Sequence, residues 1–163
     1  MTKQKLINLL YELMKDSKRS DRELAKIVGV SQPTITRMRK ALESLEYIRE
    51  YTVIPALDKL GFELLSLNFI IANVTSESKD WITNNPKILF AAFGRGFEDE
   101  SLLLVAVHRD FTDFSEFTRE IKDVLGSGLS SMKSFLSSVK MDFIKPFSLR
   151  NFGNIQPKTL LNK

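Results

Sequence analysis

The chain begins with apolar residues at helical spacing. Leu6, Leu9, Leu10 and Leu13 stand at positions i, i+3, i+4 and i+7, which predicts one apolar stripe on a helix over residues 3–15. A polar stretch, KDSKRS, separates this helix from the next apolar pattern.

Two shorter helical patterns follow, each with a start signal. Ser20 and the glutamate three residues later form a capping-box pattern, which predicts a second helix that ends near Gly29. Ser31 is the predicted N-cap of a third helix, with Pro33 in its first turn, where a missing N–H costs little. This helix is predicted to run to about Glu46, and its inner side is formed by Ile35, Met38, Leu42 and Leu45.

The remaining sequence favours strands interrupted by two helices. The aromatic and β-branched run YIREYTVI, residues 47–54, predicts a linker strand, and residues 55–62 form a connector. The β-α-β-β-α-β order predicted beyond it is typical of a ferredoxin-like domain. Its elements are residues 63–74, 76–84 with Ser76 as cap, 87–93, 101–107, a helix marked by Phe114 to Leu125, and a last strand in which Val139, Met141 and Phe143 alternate with polar residues.

Residues 21–40, DRELAKIVGVSQPTITRMRK, have the spacing of a helix-turn-helix. Two helices that cross steeply need a small residue where they approach, which Ala25 supplies, and a turn residue that accepts a positive φ, which Gly29 supplies. The second helix is then a recognition helix whose width fits the major groove of DNA. The space between the two helices is predicted to be filled by Leu24, Val28, Val30, Ile35 and Met38.

The predicted fold class is therefore α+β with two domains. Residues 1–54 form a winged or helix-turn-helix, three-helix DNA-binding domain with its linker strand, and residues 55–62 connect it to the second domain. Residues 63–150 form a ferredoxin-like ligand-binding or oligomerisation domain. Residues 151–163 are a C-terminal tail without a strong pattern.

Composition narrows the chemistry of the chain. Hydrophobic residues make up 43% of the 163 positions, which is enough for a packed core. There are no cysteines and only one histidine, His108, so disulfides, thiolate sites and multi-histidine metal sites are excluded, and no cofactor is indicated. The apolar runs are too short to cross a bilayer and no secretory signal is visible, which predicts a cytoplasmic protein without a membrane partner.

The positive charge is confined to the first third of the chain. The first 50 residues contain 11 basic and 7 acidic side chains, whereas the remaining residues contain 13 of each. The whole net charge of +4 therefore belongs to the predicted helix-turn-helix domain. A basic segment beside a neutral one favours a polyanion, here double-stranded DNA, as the partner of the first segment only.

Two exposed side chains of the recognition helix suit base edges. Arg37 could read guanine through O6 and N7, and Gln32 could read adenine by a bidentate pair. A solvated polar face is the alternative reading of both residues.

Five further residues are candidates for contacts with the DNA backbone. The Ser31 hydroxyl and the helix N-terminus suit a phosphate, and Arg39 and Lys40 suit phosphates as cations. Thr34 and Thr36 could contact phosphates or a thymine methyl group. Ser31 would also cap the helix in a protein that binds no DNA.

The order of these elements resembles the Lrp/AsnC family of bacterial and archaeal transcription regulators. The most specific pieces are the strand and connector in LESLEYIREYTVIPALDKLG, with LDKLG at residues 57–61, and RGFEDESLLLVAVHRDFTDFSEF at residues 95–117. The resemblance implies a homodimer or higher even oligomer, with subunit contacts made by the linker strand and the sheets of the second domain. It also implies a small-molecule effector, often an amino acid, bound between those domains.

The predicted effector site departs from the family pattern. Many family members have a Gly-x-Tyr-Asp-like turn, whereas this chain has the longer and more acidic GFEDES. Its candidate effector-binding residues are Gly96, Glu98, Asp99 and Glu100. A solvated loop is the alternative, just as core packing is the alternative to a ligand pocket for the nearby phenylalanines, and an ordinary edge position is the alternative to a pH switch for His108.

Two other functions remain open at the level of sequence. Siroheme decarboxylases resemble the same family and are enzymes, but their chemistry calls for histidines and basic residues around an acidic tetrapyrrole, which a single-histidine chain with a charge-balanced second half disfavours. An architectural DNA-binding protein with little sequence preference is the other alternative. The sequence favours a non-enzymatic, sequence-specific transcription regulator that binds palindromic DNA.

Overall fold

A computed structural model describes residues 2–95, 100–140, 144–145 and 147–152 of the chain. The chain divides into two compact units, one formed by Met1–Val53 together with the segment that starts at Lys145, and one formed by Ile54–Ile144. The element order confirms the predicted α+β class, with three helices followed by β-α-β-β-α-β. The residue-by-residue domain division from the sequence stays a prediction.

The first unit is built from three helices around one apolar core. These are α1 (Lys3–Lys15), α2 (Asp21–Val28) and α3 (Gln32–Ser44), so α3 ends two residues before the predicted Glu46. Apolar side chains at helical spacing face the same side, and each helix contributes such a stripe. The prediction that Leu45 belongs to the inner side of α3 is wrong, because Leu45 lies just beyond the end of the helix and is 61% exposed. The buried residues of the core are Leu6, Leu9, Leu13, Leu24, Ala25, Ile35, Met38 and Leu42.

Helix α2 begins at a capping box and ends at a glycine. The Ser20 hydroxyl accepts from the backbone N–H of Glu23 at 3.3 Å, and the Glu23 carboxylate accepts from the backbone N–H of Ser20 at 2.8 Å, which confirms the predicted capping box. Gly29 ends α2 with φ of 70°, and its N–H and that of Val30 both donate to the carbonyl of Ala25 at 3.0 Å. The left-handed conformation favours glycine at this position.

The linker strand predicted over residues 47–54 is wrong for this structure, because none of these residues belongs to a strand. A strand requires a hydrogen-bonded neighbour, and the described strands of the second unit pair only with one another. The apolar residues that suggested a strand are instead exposed: Tyr47, Tyr51, Val53 and Ile54. The connector that follows forms a short 3₁₀ helix, Leu57–Leu60.

The second unit is a four-stranded antiparallel sheet with two helices. Its elements are β1 (Leu64–Ala72), α4 (Ser76–Asn84), β2 (Ile88–Arg95), β3 (Glu100–His108), α5 (Phe111–Leu125) and β4 (Leu129–Ser138). The strand order is β2-β3-β1-β4, so that β1 and β3 are central. The N-cap of α4 is Thr75, whose hydroxyl accepts from the N–H of Ser78, and the prediction that Ser76 caps this helix is wrong because Ser76 is already its first residue.

The last strand lies upstream of its predicted position. The alternation of Val139, Met141 and Phe143 suggested a strand there, but β4 is the serine-rich segment before them, and Met141 and Phe143 lie outside the described residues. The serines fit because β4 is an edge strand with a polar partner: the Ser134 hydroxyl donates to Asn68 Oδ1 in β1 at 2.7 Å.

The two faces of the sheet differ in what covers them. On one face, Ile70 and the even-numbered residues of β3 from Leu102 to Ala106 pack against Phe117 and Ile121 of α5, with Trp81 of α4 packed against this cluster. We call the opposite side the open face. One row of directly paired residues crosses it from edge to edge: Phe90, Val105, Leu67 and Phe135. Phe90 and Phe135 are 54% and 61% exposed.

A buried polar cluster interrupts the covered face of the sheet. His108 is 0% exposed, and its Nε2 lies 2.8 Å from the Ser66 hydroxyl, which also accepts from Asn68 Nδ2 at 2.9 Å. The imidazole packs against the rings of Phe114 and Phe117 at centroid distances of 5.3 and 5.0 Å. His108 is therefore a core residue, and the expectation of an ordinary edge position is wrong because the end of β3 is covered by α5.

The phenylalanines near the same helix divide between core and surface. Phe114 and Phe117 are core residues, whereas Phe93 and Phe111 are exposed and Phe97 lies outside the described residues.

Candidate nucleic-acid interface

The recognition helix α3 begins as the sequence predicts. Ser31 is the N-cap residue, with φ of −77° and ψ of 154°, and its carbonyl accepts from Thr34 and Ile35. Its hydroxyl does not cap a backbone N–H but lies 2.8 Å from the Thr34 hydroxyl. Either hydroxyl can donate to the other. Both lie at the positive end of the helix dipole, a position that suits an anion such as a phosphate.

The buried stripe of α3 determines which side chains face outward. Ile35, Met38 and Leu42 are at most 1% exposed, so the residues between them point away from the core. A broad, open recess on the outside of the helix is lined by Gln32, Pro33, Thr36, Arg37 and Lys40. The structure therefore brings together four of the seven candidate DNA-binding residues predicted from the sequence.

Three of these recess residues have side chains without partners among the residues that the structure describes. Within the described ranges, the side chains of Gln32, Arg37 and Lys40 make no hydrogen bond or ion pair. The Gln32 amide and the Arg37 and Lys40 cations can therefore contact DNA without breaking a hydrogen bond inside the described part of the protein. Their assignment to bases or phosphates stays a prediction.

Arg39 is positioned differently from the other basic residues of α3. Its Nε donates to Asp21 Oδ1 at 2.7 Å, and one terminal nitrogen donates to the carbonyl of Arg19 at 3.0 Å. Thr36 Oγ1 donates to the other oxygen of Asp21 at 2.6 Å. Burial alone would raise the pKa of Asp21, but the hydrogen bonds from Thr36 and Arg39 outweigh it and hold the pKa below its usual range.

Sequence reasoning missed Asp21 and Tyr51 as parts of this surface. Asp21 lies 18 residues before Arg39, and no periodic pattern links the two positions. The Tyr51 hydroxyl donates to Glu43 Oε1 at 3.0 Å and interacts with Arg39, although residue 51 was expected to serve only as part of a strand. Acidic residues at the start of a helix are common, so no signal in the sequence distinguished Asp21 from an ordinary first-turn residue.

One of the four candidate effector-binding residues lies in the part of the chain that the structure describes. Gly96, Glu98 and Asp99 lie outside the described residues. Glu100 is the first residue of β3, and its backbone pairs with that of Arg95. Within the part of the chain that is described, no three His, Asp or Glu side chains come together to hold a metal ion, and no helix has the length and apolar character to cross a membrane.

Comparisons with known proteins agree with the helix-turn-helix geometry. A family model described as winged helix-turn-helix DNA-binding matches residues 3–49, the stretch that contains α1, α2 and α3. An uncharacterised HTH-type transcriptional regulator of Pyrococcus furiosus is 30% identical over 141 residues, which cover 85% of this chain and 92% of that protein. LrpC, an HTH-type transcriptional regulator of Bacillus subtilis, is 34% identical over 86 residues, which cover 52% of this chain and 60% of LrpC.

Solved structures share the fold over nearly the whole chain. A transcriptional regulator of Neisseria meningitidis in complex with L-Met has a TM-score of 0.76 at 19% identity, covering 93% of this chain and 99% of that one. An AsnC family transcriptional regulator of Agrobacterium tumefaciens has a TM-score of 0.72 at 20% identity, covering 90% and 94%. The chain belongs to the Lrp/AsnC family of helix-turn-helix transcriptional regulators.

Proposed function

We propose that this regulator reads a palindromic duplex through the outward face of α3, as a homodimer or higher even oligomer. The observation that carries the proposal is the recess formed by Gln32, Thr36, Arg37 and Lys40, three of which have no partner among the described residues. Two copies related by a two-fold axis would insert two such helices into major grooves one helical turn, or a multiple of it, apart.

Within the recess, the chemistry of the side chains assigns different roles. Arg37 is the candidate for a guanine and Gln32 for an adenine, because both can form bidentate pairs with a base edge. Lys40 is a flexible point charge and suits a phosphate. Thr36 donates its hydroxyl proton to Asp21, which leaves its methyl group and the two lone pairs of the oxygen for the DNA.

Arg37→Ala separates base reading from phosphate binding. Loss of a bidentate guanine contact should weaken binding by about 1–3 kcal/mol and relax the preference at one base pair of each half-site. The measurement is fluorescence anisotropy with the cognate duplex and with duplexes that differ at single positions. Arg119→Ala, which removes the same charge from an exposed position of α5, is the matched control and should leave binding unchanged. A sequence-independent loss in Arg37→Ala would mean that Arg37 contacts only phosphate.

The open face and the exposed linker support self-association. The row from Phe90 to Phe135 leaves two phenylalanines more than half exposed on one side of the sheet. Val53 and Ile54 in the linker are 76% and 66% exposed. Exposed apolar side chains of this kind mark protein contacts, so we propose that a second copy of the chain covers them.

We further propose that an amino acid binds this regulator as an effector. This proposal is supported by the complex of the Neisseria meningitidis regulator with L-Met and by the family resemblance. Thermal unfolding of the protein with each of the common amino acids measures it directly, because a ligand that binds the folded state raises the melting temperature in a concentration-dependent manner. An unchanged melting temperature for all of them would remove the amino-acid effector.

We also propose that the chain is not an enzyme and that it acts in the cytoplasm. The single imidazole is 0% exposed in the second unit, where it could not reach a tetrapyrrole without local unfolding. Addition of siroheme to the purified protein tests the decarboxylase alternative. A bound tetrapyrrole spectrum followed by decarboxylation would contradict the proposal.

A further inference from the structure

The outer side of α3 contains two kinds of basic residue. Arg37 and Lys40 are exposed in the recess, whereas the side chain of Arg39 is only 18% exposed and lies on Asp21, whose side chain is 22% exposed. Arg39 donates from Nε and a terminal nitrogen to residues at or just before the start of α2, and it also interacts with the Tyr51 hydroxyl. A guanidinium held in this way would have to break intramolecular bonds before it could move to a phosphate.

Asp21 connects two positions of α3 that lie on neighbouring turns. One carboxylate oxygen accepts from Thr36 at 2.6 Å and the other from Arg39 at 2.7 Å. Residues three apart on a helix stand on the same side, so these two bonds fix both the position and the rotation of α3. Asp21 is itself held in place, because it follows directly on the capping box of Ser20.

We propose that Asp21 and Arg39 form a positioning pair that sets the orientation of the recognition helix, and that Arg39 makes no phosphate contact. The inference rests on the proposed DNA binding through the recess and assigns a further residue to it. A binding site on a helix needs its side chains held to within about 0.5 Å and 10–20° of the productive geometry. The apolar core contacts the buried side of α3, and the hydrogen bonds to Asp21 fix the helix through Thr36 and Arg39.

The positioning pair and a phosphate contact predict opposite effects of removing Asp21. If Arg39 contacted phosphate, loss of the Asp21 carboxylate would release the guanidinium and remove a repelling charge, so DNA affinity would rise. If the two residues position α3, affinity falls with either change, and the double variant is no worse than the single ones. The salt dependence of binding also distinguishes a phosphate contact from a positioning role. Loss of one phosphate contact reduces the magnitude of the slope of log K against log salt by about 0.9, whereas loss of a positioning contact does not.

The experiment measures anisotropy of the cognate duplex at several salt concentrations for Asp21→Ala, Arg39→Ala and the double variant. Each should lose about tenfold in affinity, the order expected for one charge-assisted hydrogen bond, at an unchanged salt slope. Asp123→Ala, which removes an exposed carboxylate from α5, is the control and should bind like the wild type. Higher affinity of Asp21→Ala, or a lower salt slope for Arg39→Ala, would overturn the inference.

Two milder variants keep the test decisive if the alanine variants unfold. Arg39→Lys retains the positive charge but cannot reach Asp21 and the Arg19 carbonyl together, so it should lose affinity, whereas a phosphate contact would survive. Asp21→Asn keeps the size of the side chain but removes its charge and replaces one of its two acceptor oxygens with a donor nitrogen, so it should lose affinity, whereas the phosphate reading predicts a gain. Failure of the wild-type protein to bind any duplex would refute the proposed function, while wild-type binding lost in Arg37→Ala but not in these variants would refute only the positioning pair.

Discussion

The buried histidine predicts that the second unit loses stability as the pH falls from about 6.5 toward 4. Burial lowers the pKa of His108 from 6.5 to about 4, with the Asp113 carboxylate opposing this shift and the Lys87 ammonium adding to it. The imidazolium would lose its water without gaining a full set of hydrogen bonds, since Nδ1 has no partner among the described residues.

The sign and size of the effect follow from proton linkage. In the unfolded chain His108 binds a proton near pH 6.5, whereas the folded unit resists it until about pH 4, so the unfolded state is favoured as the pH falls through this window. The shift corresponds to a loss of about 2 kcal/mol by pH 5 and about 3 kcal/mol near pH 4. The pKa of Asp113 is lowered, and its contribution to stability is therefore lost only at lower pH.

The single histidine and the single tryptophan allow titration and unfolding to be measured separately in the second unit. His108 is the only histidine, so the imidazole proton resonances of an untagged protein report its titration directly by NMR. Trp81 is the only tryptophan and stacks on Phe117 in the same unit, so its fluorescence reports denaturant unfolding of that unit. We expect that the His108 imidazole of the folded protein does not titrate between pH 8 and 5. The unfolding free energy of the second unit should fall across the same range.

His108→Gln is the matched variant, because its amide can still bond Ser66 but does not titrate. It should be less stable than the wild type at pH 7.5, and the difference should shrink by about 2 kcal/mol at pH 5. A folded-state imidazole that titrates near pH 6.5, or a difference between the two proteins that does not change with pH, would refute the reasoning.

Two further predictions concern the turn of the helix-turn-helix and the open face. Gly29→Ala should destabilise the first unit by about 1 kcal/mol, measured by a far-ultraviolet circular dichroism melt, because φ at this position is 70°. An added methyl group would meet no atom within 4 Å, so the cost comes from the backbone conformation. Gly94→Ala, at a glycine without positive φ, is the control and should cost less. Phe135→Glu should shift the sedimenting species toward monomer, since it places a charge on the open face, whereas Phe111→Glu, at an equally exposed position of α5, should not. An oligomer that is unchanged by Phe135→Glu would show that the open face is not the subunit contact.

Elements whose signals are local could be predicted from the sequence. The stripe of α1, the capping box at Ser20 and the positive φ of Gly29 each depend on residues within one or two helical turns. The helical fold of the first unit and the outward position of Arg37 follow from such signals, because the inward stripe of α3 leaves only one side for the polar residues.

Features that depend on distant partners could not be predicted in the same way. The strand expected over residues 47–54 has the right composition but no neighbour to pair with, and β4 has weak composition but pairs along the whole of β1. Arg39 was expected to contact phosphate because nothing nearby in the sequence indicates Asp21. The polar neighbours Arg109 and Asp110 suggest an edge position for His108, and no local signal shows that the rings of Phe114 and Phe117 pack against its imidazole.

Selection of duplexes from a random DNA pool by the purified protein, sequenced after several rounds at physiological salt, tests the central claim most directly. We predict an enriched palindrome whose half-sites are separated by about 10 base pairs or a multiple of that spacing. Arg37→Ala should select the same palindrome with one position relaxed in each half. Binding without enrichment would contradict sequence-specific reading by α3 and favour an architectural role, and no binding to any duplex would contradict the proposed interface itself.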